Sequence, residues 1–251
     1  MQTFARWLGL LLVAFLALQL YFVARIATMA VVAPQSTSFQ RSEAWRLANE
    51  KGTSLRWRQQ WVAYNQISDN LKRAVIASED DGFANHEGVD WDALEKAWEK
   101  NAKAEARAAK QVPAKPNANP AKVVVAKPPK IVGGSTITQQ LSKNLFLSGE
   151  RTLVRKGQEL VLTVLLEHCL SKRRILEIYL NSVEWGQGIF GAEAGAQHYY
   201  RKPASQLSAY EAARLAVMLP RPRYYEKLPN SGYLGSRAGV ITGRMGDAQL
   251  P

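Results

Sequence analysis

Residues 71–88 read LKRAVIASEDDGFANHEG. Leu71, Ala74 and Val75 recur at helical spacing, and Ser68 stands where a helix N-cap belongs, so a helix is expected to run into the acidic stretch. Glu79–Gly88 then packs four acidic residues, one histidine and two glycines into ten positions. A carboxylate at the exit of a buried helix is partly desolvated. Desolvation raises its pKa and makes it a useful general base, so an acid of this stretch is a candidate for that role. His86 has three readings beside these acids: metal ligand, acid–base group or structural hydrogen-bonder. His168 and His198 are remote in sequence, so no second histidine stands at ligand spacing and the structural role is favoured.

Two further polar clusters follow. In Gly134-Ser135-Thr136-Ile137-Thr138-Gln139-Gln140-Leu141-Ser142-Lys143-Asn144, glycines precede a helix start, whose free N–H groups and dipole favour an anion. Gln139 and Lys143 share one helical face and Gln140 and Asn144 the next, a polar surface suited to sugar or phosphate oxygens. A capped, solvent-facing helix is the plain alternative. In the third cluster Arg155 and Glu159 are four apart, the spacing of a surface ion pair. With Arg151 and Lys156 they also make a cationic bank able to bind a diphosphate, with or without a metal. Lys172-Arg173-Arg174 adds charge at a helix start, where cations oppose the dipole; a membrane surface or anionic partner would suit them.

The chain has 251 residues and a net charge of +12, enough for one sizeable domain with a basic balance that favours anionic partners. Nine basic residues against Glu99 and Glu105 fall between Lys96 and Lys130, in an Ala/Lys/Pro-rich tract whose prolines forbid one continuous helix. Much of the charge therefore sits in an expected mobile insertion at about 102–130, and nucleic acid is not expected as a partner. The single cysteine, Cys169, allows no intrachain disulfide and reads as a small buried hydrophobe.

Trp7–Ala24 carries no charge and is about long enough to span a membrane, with Arg25 placed to snorkel and Ile26–Ala33 able to extend the span. Arg6 before it favours an N-terminus kept in the cytoplasm. A cleaved signal peptide is the rival, disfavoured by the long apolar run and the lack of a clean cleavage site. The organisation expected is a cytoplasmic stub and anchor over 1–33, a linker or membrane-proximal segment over 34–60, a catalytic domain over 61–230 and an irregular tail over 231–251. After residue 130 helices are expected from Thr136, from Leu153 to Cys169 with Leu160, Val161, Val164, Leu165 and Cys169 inward, and from Ser171 with Ile175, Ile178 and Tyr179 inward. Ser208–Glu211 is a capping box for another, ending near Leu219. The glycines at 186, 188, 191 and 195 mark a turn and a close backbone approach. No clear alternating strand is seen.

Together the clusters resemble those of the monofunctional biosynthetic peptidoglycan glycosyltransferases (transglycosylases). Glu79, Asp80, Phe83, His86 and Gly88 match E-D-x-x-F-x-x-H-x-G; residues 133–144 match G-x-S-T-I-x-Q-Q-x-x-K-N; Arg155, Lys156 and Glu159 match R-K-x-x-E; Lys172–Asn181 match K-x-x-I-L-E-x-Y-L-N. The resemblance implies a mainly α, lysozyme-like domain with one N-terminal transmembrane helix, in the cytoplasmic membrane with its catalytic domain outside. It implies polymerisation of lipid II into β-1,4 glycan strands with inversion and release of undecaprenyl diphosphate, and no transpeptidase domain. Glu79 would be the general base and Glu159 the second catalytic carboxylate, orienting the cations or a metal. Asp80, Phe83, His86, Ser135, Thr136, Gln139, Gln140, Lys143, Asn144, Arg151, Arg155 and Lys156 would bind substrate. No cofactor is implied with certainty; a divalent cation, Mg or Mn, has a place at the diphosphate. Lipid II, the growing strand and membrane lipid are the implied partners, with other cell-wall synthesis or division proteins beside them. The basic insertion departs from the family pattern and would recruit anionic lipid. A glycan-cleaving relative of similar fold and a membrane-anchored scaffold are the rival functions.

Overall fold

A computed structural model describes residues 2–50, 56–110, 134–150 and 152–251. It divides into two compact units, residues 1–88 with 136–251, and residues 89–135. The described residues are mostly helical.

The first unit opens with α1 (Gln2–Thr28), whose Thr3–Thr28 stretch is long and apolar enough to cross a membrane. Its last turn is not free. Phe22, Ile26 and Met29 are buried in the core, and the Arg174 guanidinium donates through Nε to the Met29 carbonyl at 2.7 Å. Ile26 and Met29 thus belong to the domain rather than to an extended span. The segment expected as a linker instead forms α2 (Ser38–Asn49). Thr37 and Gln40 close a reciprocal capping box, with bonds of 3.0 and 2.8 Å, and Gln40 and Leu47 turn inward.

β1 (Arg58–Gln59) leads through a short 3₁₀ turn into α3 (Asp69–Glu79), capped by Ser68 as expected. α5 (Ile137–Phe146), α6 (Leu153–Cys169) and α7 (Lys172–Ser182) follow, the last two capped by Thr152 and Ser171. β2 (Glu184–Gly186) and β3 (Ile189–Phe190) form a small sheet in which β3 is central, antiparallel to β2 and parallel to β1. These strands are too short to show alternation in sequence. Gly188 carries the turn at φ +72°, and a Cβ there would lie 1.8 Å from the Arg56 carbonyl oxygen. Gly188→Ala is therefore expected to cost roughly 2–5 kcal/mol, from left-handed strain added to a backbone clash, read as a fall in Tm.

α8 (Ala192–Tyr200), α9 (Ala209–Met218), α10 (Pro222–Glu226) and α11 (Gly232–Arg244) complete the first unit. α9 starts on the expected Ser208–Glu211 box. The tail expected to be irregular is α11, which packs on α9 and α3 and buries Leu234, Ala238 and Ile241. Spacing of four and three puts these on one face. α3, expected to bury Leu71, Ala74 and Val75, does so, with Ile76 and Ala77.

α6 overturns one expectation. Its buried residues are Glu159, Leu162, Thr163 and Leu166, while Leu160, Val161 and Val164 are exposed together with Leu153 and Val154. Leu165 and Cys169 pack partly on the core, as expected. Two stripes are apolar on this helix, so periodicity alone could not choose between them. The mixed stripe faces α5: Ser142 Oγ lies 3.2 Å from Thr163 Oγ1, which in turn donates to the Glu159 carbonyl at 2.8 Å.

The second unit holds α4 (Trp91–Lys110). Asp90 accepts from the Ala93 N–H at 2.8 Å and starts it. Trp91, Leu94 and Trp98 line its exposed apolar side. The expected mobile insertion at 102–130 lies in part on this helix; residues 111–133 lie outside the described residues.

Candidate active site

Glu79 is the last residue of α3, and Asp80 caps the helix through its N–H to the Ile76 carbonyl at 2.9 Å. Asp80 is buried. Its Oδ2 accepts from the Ile137 N–H at 2.9 Å, so it holds the first turn of α5, and its Oδ1 lies 2.9 Å from His86 Nε2. The Gly88 N–H donates to His86 Nδ1 at 3.1 Å. A ring nitrogen that accepts carries no proton, so the proton sits on Nε2 and points at Asp80. Both ring nitrogens of His86 are thus engaged in the loop.

Phe83 is fully buried, with the Lys172 ammonium 4.7 Å from its ring centroid. Gly88 turns at φ +87° against Thr163 and Glu167. Phe83 and His86, expected among substrate-binding groups, both make contacts that fasten the loop after Glu79. Asp80→Asn should lower stability by about 1–3 kcal/mol, since an amide cannot accept from both Ile137 and His86 as a carboxylate does. Thermal unfolding at neutral pH checks it.

Thr136 caps α5 and closes a box with Gln139. The Thr136 N–H donates to Gln139 Oε1 at 3.1 Å, and the Thr136 hydroxyl donates to the Gly88 carbonyl at 2.6 Å. Both residues, expected among the substrate-binding groups, are buried and build the helix start. Ser135 falls in the second unit. Gln140 is the residue that reaches the acid: its Nε2 donates to Glu79 Oε2 at 3.0 Å. Burial raises the Glu79 pKa above the ordinary carboxylate value, and nearby Asp80 adds to it, while the hydrogen bonds from Gln140 and Ser78 and the Lys143 charge oppose.

Lys143 lies one turn on from Gln140 and is exposed, with Asn144 half-buried beside it. Although the residue is exposed, the protein crowded around its ammonium strips part of the hydration and pulls the Lys143 pKa down, Arg155 and Lys156 push the same way, and Glu159 and Glu79 oppose. Lys143 therefore feels both carboxylates, which the sequence left about eighty positions apart. Glu159 is buried on the α5 side of α6. Its Oε2 accepts from Arg155 at 3.0 Å and its Oε1 from Lys156 at 2.5 Å. The spacing of Arg155 and Glu159 is that of a surface pair, yet this pair is mostly buried. Arg151 lies outside the described residues.

Both Glu159 oxygens are taken by cations, and among the described residues no group of three or more His, Cys, Asp or Glu side chains gathers. The donor set does not fit a metal. Sequence reasoning gave no role in the site to Tyr179, whose hydroxyl donates to Gln140 Oε1 at 2.9 Å, or to Glu167, which accepts from Thr138 and Lys172 at 2.5 and 2.8 Å. Glu177 and Asn181 bracket the segment before α3: Glu177 Oε1 accepts from the Tyr64 N–H at 3.1 Å, and Asn181 pairs with both backbone groups of Val62 at 2.9 and 3.0 Å. The fourth motif is scaffold around the site.

A helical fold that aims one desolvated carboxylate beside a bank of cations is that of an acid–base enzyme suited to an anionic substrate. The chain belongs to the transglycosylase family, whose model matches residues 47–110 and 119–246. The match passes over 111–118, within the basic tract. A biosynthetic peptidoglycan transglycosylase of Burkholderia thailandensis is 53% identical over 251 residues, 98% of this chain and 89% of that protein. One of the same description from Herminiimonas arsenicoxydans is 52% identical over 236 residues, 94% of this chain and 92% of its own length. The fold expected from the motifs, mainly α and lysozyme-like with one N-terminal apolar helix, is the fold of this family.

Proposed function

We propose that this transglycosylase polymerises lipid II into β-1,4 glycan strands, with the growing strand as donor. The observation that carries the reading is the pair of unlike carboxylates. Glu79 is bonded to a neutral amide and raised in pKa, while Glu159 is bound to two cations. Glu79 takes the proton of the acceptor sugar 4-hydroxyl as that oxygen attacks the donor anomeric carbon. The bond from that carbon to the diphosphate breaks on the opposite face, and the configuration inverts. Lys143, Arg155 and Lys156 take up charge as undecaprenyl diphosphate departs. Arg155 Nε is buried with no partner among the described residues, so this guanidinium keeps one N–H unspent beside Glu159. No step runs through a metal.

Membrane lipid is the second partner of this reading. α1 and the exposed Leu153, Val154, Leu160, Val161 and Val164 of α6 adjoin, joined by Gln19 and Gln158, whose amides exchange bonds of 3.4 and 3.3 Å. Both apolar surfaces suit hydrocarbon, and this supports a site that works at the surface of the cytoplasmic membrane, where a lipid-linked substrate lies. The N-terminus is on the cytoplasmic side and the catalytic unit outside. Purified protein with labelled lipid II is expected to yield polymer and undecaprenyl diphosphate, and Glu79→Gln only a small fraction of it. Equal polymer from both, or none from either, overturns the reading.

A further inference from the structure

Tyr179 of α7 has no part in the mechanism above, yet it is fully buried and ends on the amide that touches Glu79. Its hydroxyl donates to Gln140 Oε1 at 2.9 Å, and Gln140 Nε2 donates to Glu79 Oε2 at 3.0 Å. An amide has one accepting end and one donating end. A phenol that donates to the oxygen leaves the NH₂ end for the carboxylate. Turned over, the amide would set its oxygen against an ionised acid.

The geometry points to Tyr179 as a positioning residue: through Gln140 it locks the amide in the one orientation that donates to ionised Glu79. The inference rests on the reading of Glu79 as the base. The groups that face Glu79 are Gln140 and Lys143 from α5, Tyr179 from α7, and Ser78 and Asp80 from its own segment. Burial, with the charges of Glu79 and Asp80 behind it, pushes the Tyr179 pKa well above its ordinary value, so the phenol keeps its proton. Any moving limb in the pH profile is then not its own.

Tyr179→Phe keeps the ring and removes only the donor. The acid limb of kcat/KM against pH is expected to move up by about half to one unit, as the ionised acid loses a steady hydrogen bond. Below the limb the rate falls roughly 3–10-fold, with less change on the plateau. Gln140→Met moves the limb at least as far, and adding Tyr179→Phe to it moves the limb no further. Unfolding curves establish that each variant is folded. An unmoved limb in Tyr179→Phe or in Gln140→Met, or shifts that add in the double variant, overturns the proposal. Glu79→Gln separates the two readings: if it keeps both the wild-type rate and the acid limb, the base is misassigned whatever Tyr179→Phe does.

Discussion

Glu79→Gln is expected to lower glycan polymerisation by about 10²–10⁴-fold while leaving the fold intact. The amide keeps the shape of the acid and can still accept from Gln140, so only proton transfer is lost. The wild-type profile carries a sign that makes the loss diagnostic. A general base works ionised. Because burial raises the Glu79 pKa above its ordinary 4.5, the acid limb of kcat/KM lies above that value, and the residual activity of Glu79→Gln lacks the limb.

Stability runs the other way. A carboxyl with a raised folded pKa binds more protons in the folded state than in the unfolded chain over the interval between its two pKa values. Its contribution is fully present below the unfolded value and is lost as pH rises through the folded one. At neutral pH wild type therefore bears the cost of an ionised, partly desolvated acid that Gln does not. Glu79→Gln should have a Tm equal to or above wild type at pH 7, with the difference shrinking towards pH 4. An inactive variant with a lowered Tm would point to damage rather than to a missing base.

The helices that build this site were legible because each announces itself twice, by apolar spacing and by a capping residue. Ser68, Ser171 and Ser208 cap α3, α7 and α9 as the sequence suggests, and Leu153–Cys169 is the helix expected. α11 was hidden by its glycines at 232, 235, 239 and 243, which weaken helix propensity without removing the buried Leu234, Ala238 and Ile241. α2 was hidden by a weak apolar face, although Thr37 and Gln40 spell a capping box.

In the site, residue types showed which groups could act, but only packing showed which partners each one has. Thr136 and Gln139 look like donor-site polar groups in sequence and are bonded to each other at a helix start, whereas Tyr179 looks like core and ends on the amide of Gln140. The carboxylates could not be paired from spacing, because their link runs through Lys143 and the Ser142–Thr163 contact between α5 and α6.

Glu159→Gln tests the other half of that division. Glu159 is buried and binds Arg155 and Lys156, one on each oxygen. An amide offers one acceptor, so one cation loses its anchor. Lys156 is half exposed, at 53% of its side chain, and can turn to water; Arg155, at 18%, cannot. The stability cost is then about 1–3 kcal/mol rather than the full penalty of a charge stranded in the interior. Catalysis should suffer more. The attraction of the site for a diphosphate does not fall, since a negative charge has been removed from among cations. What falls is their fixed aim at the leaving group, a preorganisation worth roughly 10²-fold in kcat when one donor is lost. Glu159→Gln should therefore show KM for lipid II unchanged or lower with kcat down about 10²-fold. Steady-state kinetics on labelled lipid II would separate this from the alternative. A raised KM with kcat preserved would mean that Glu159 serves ground-state binding, and that the cations stabilise departing charge without its help.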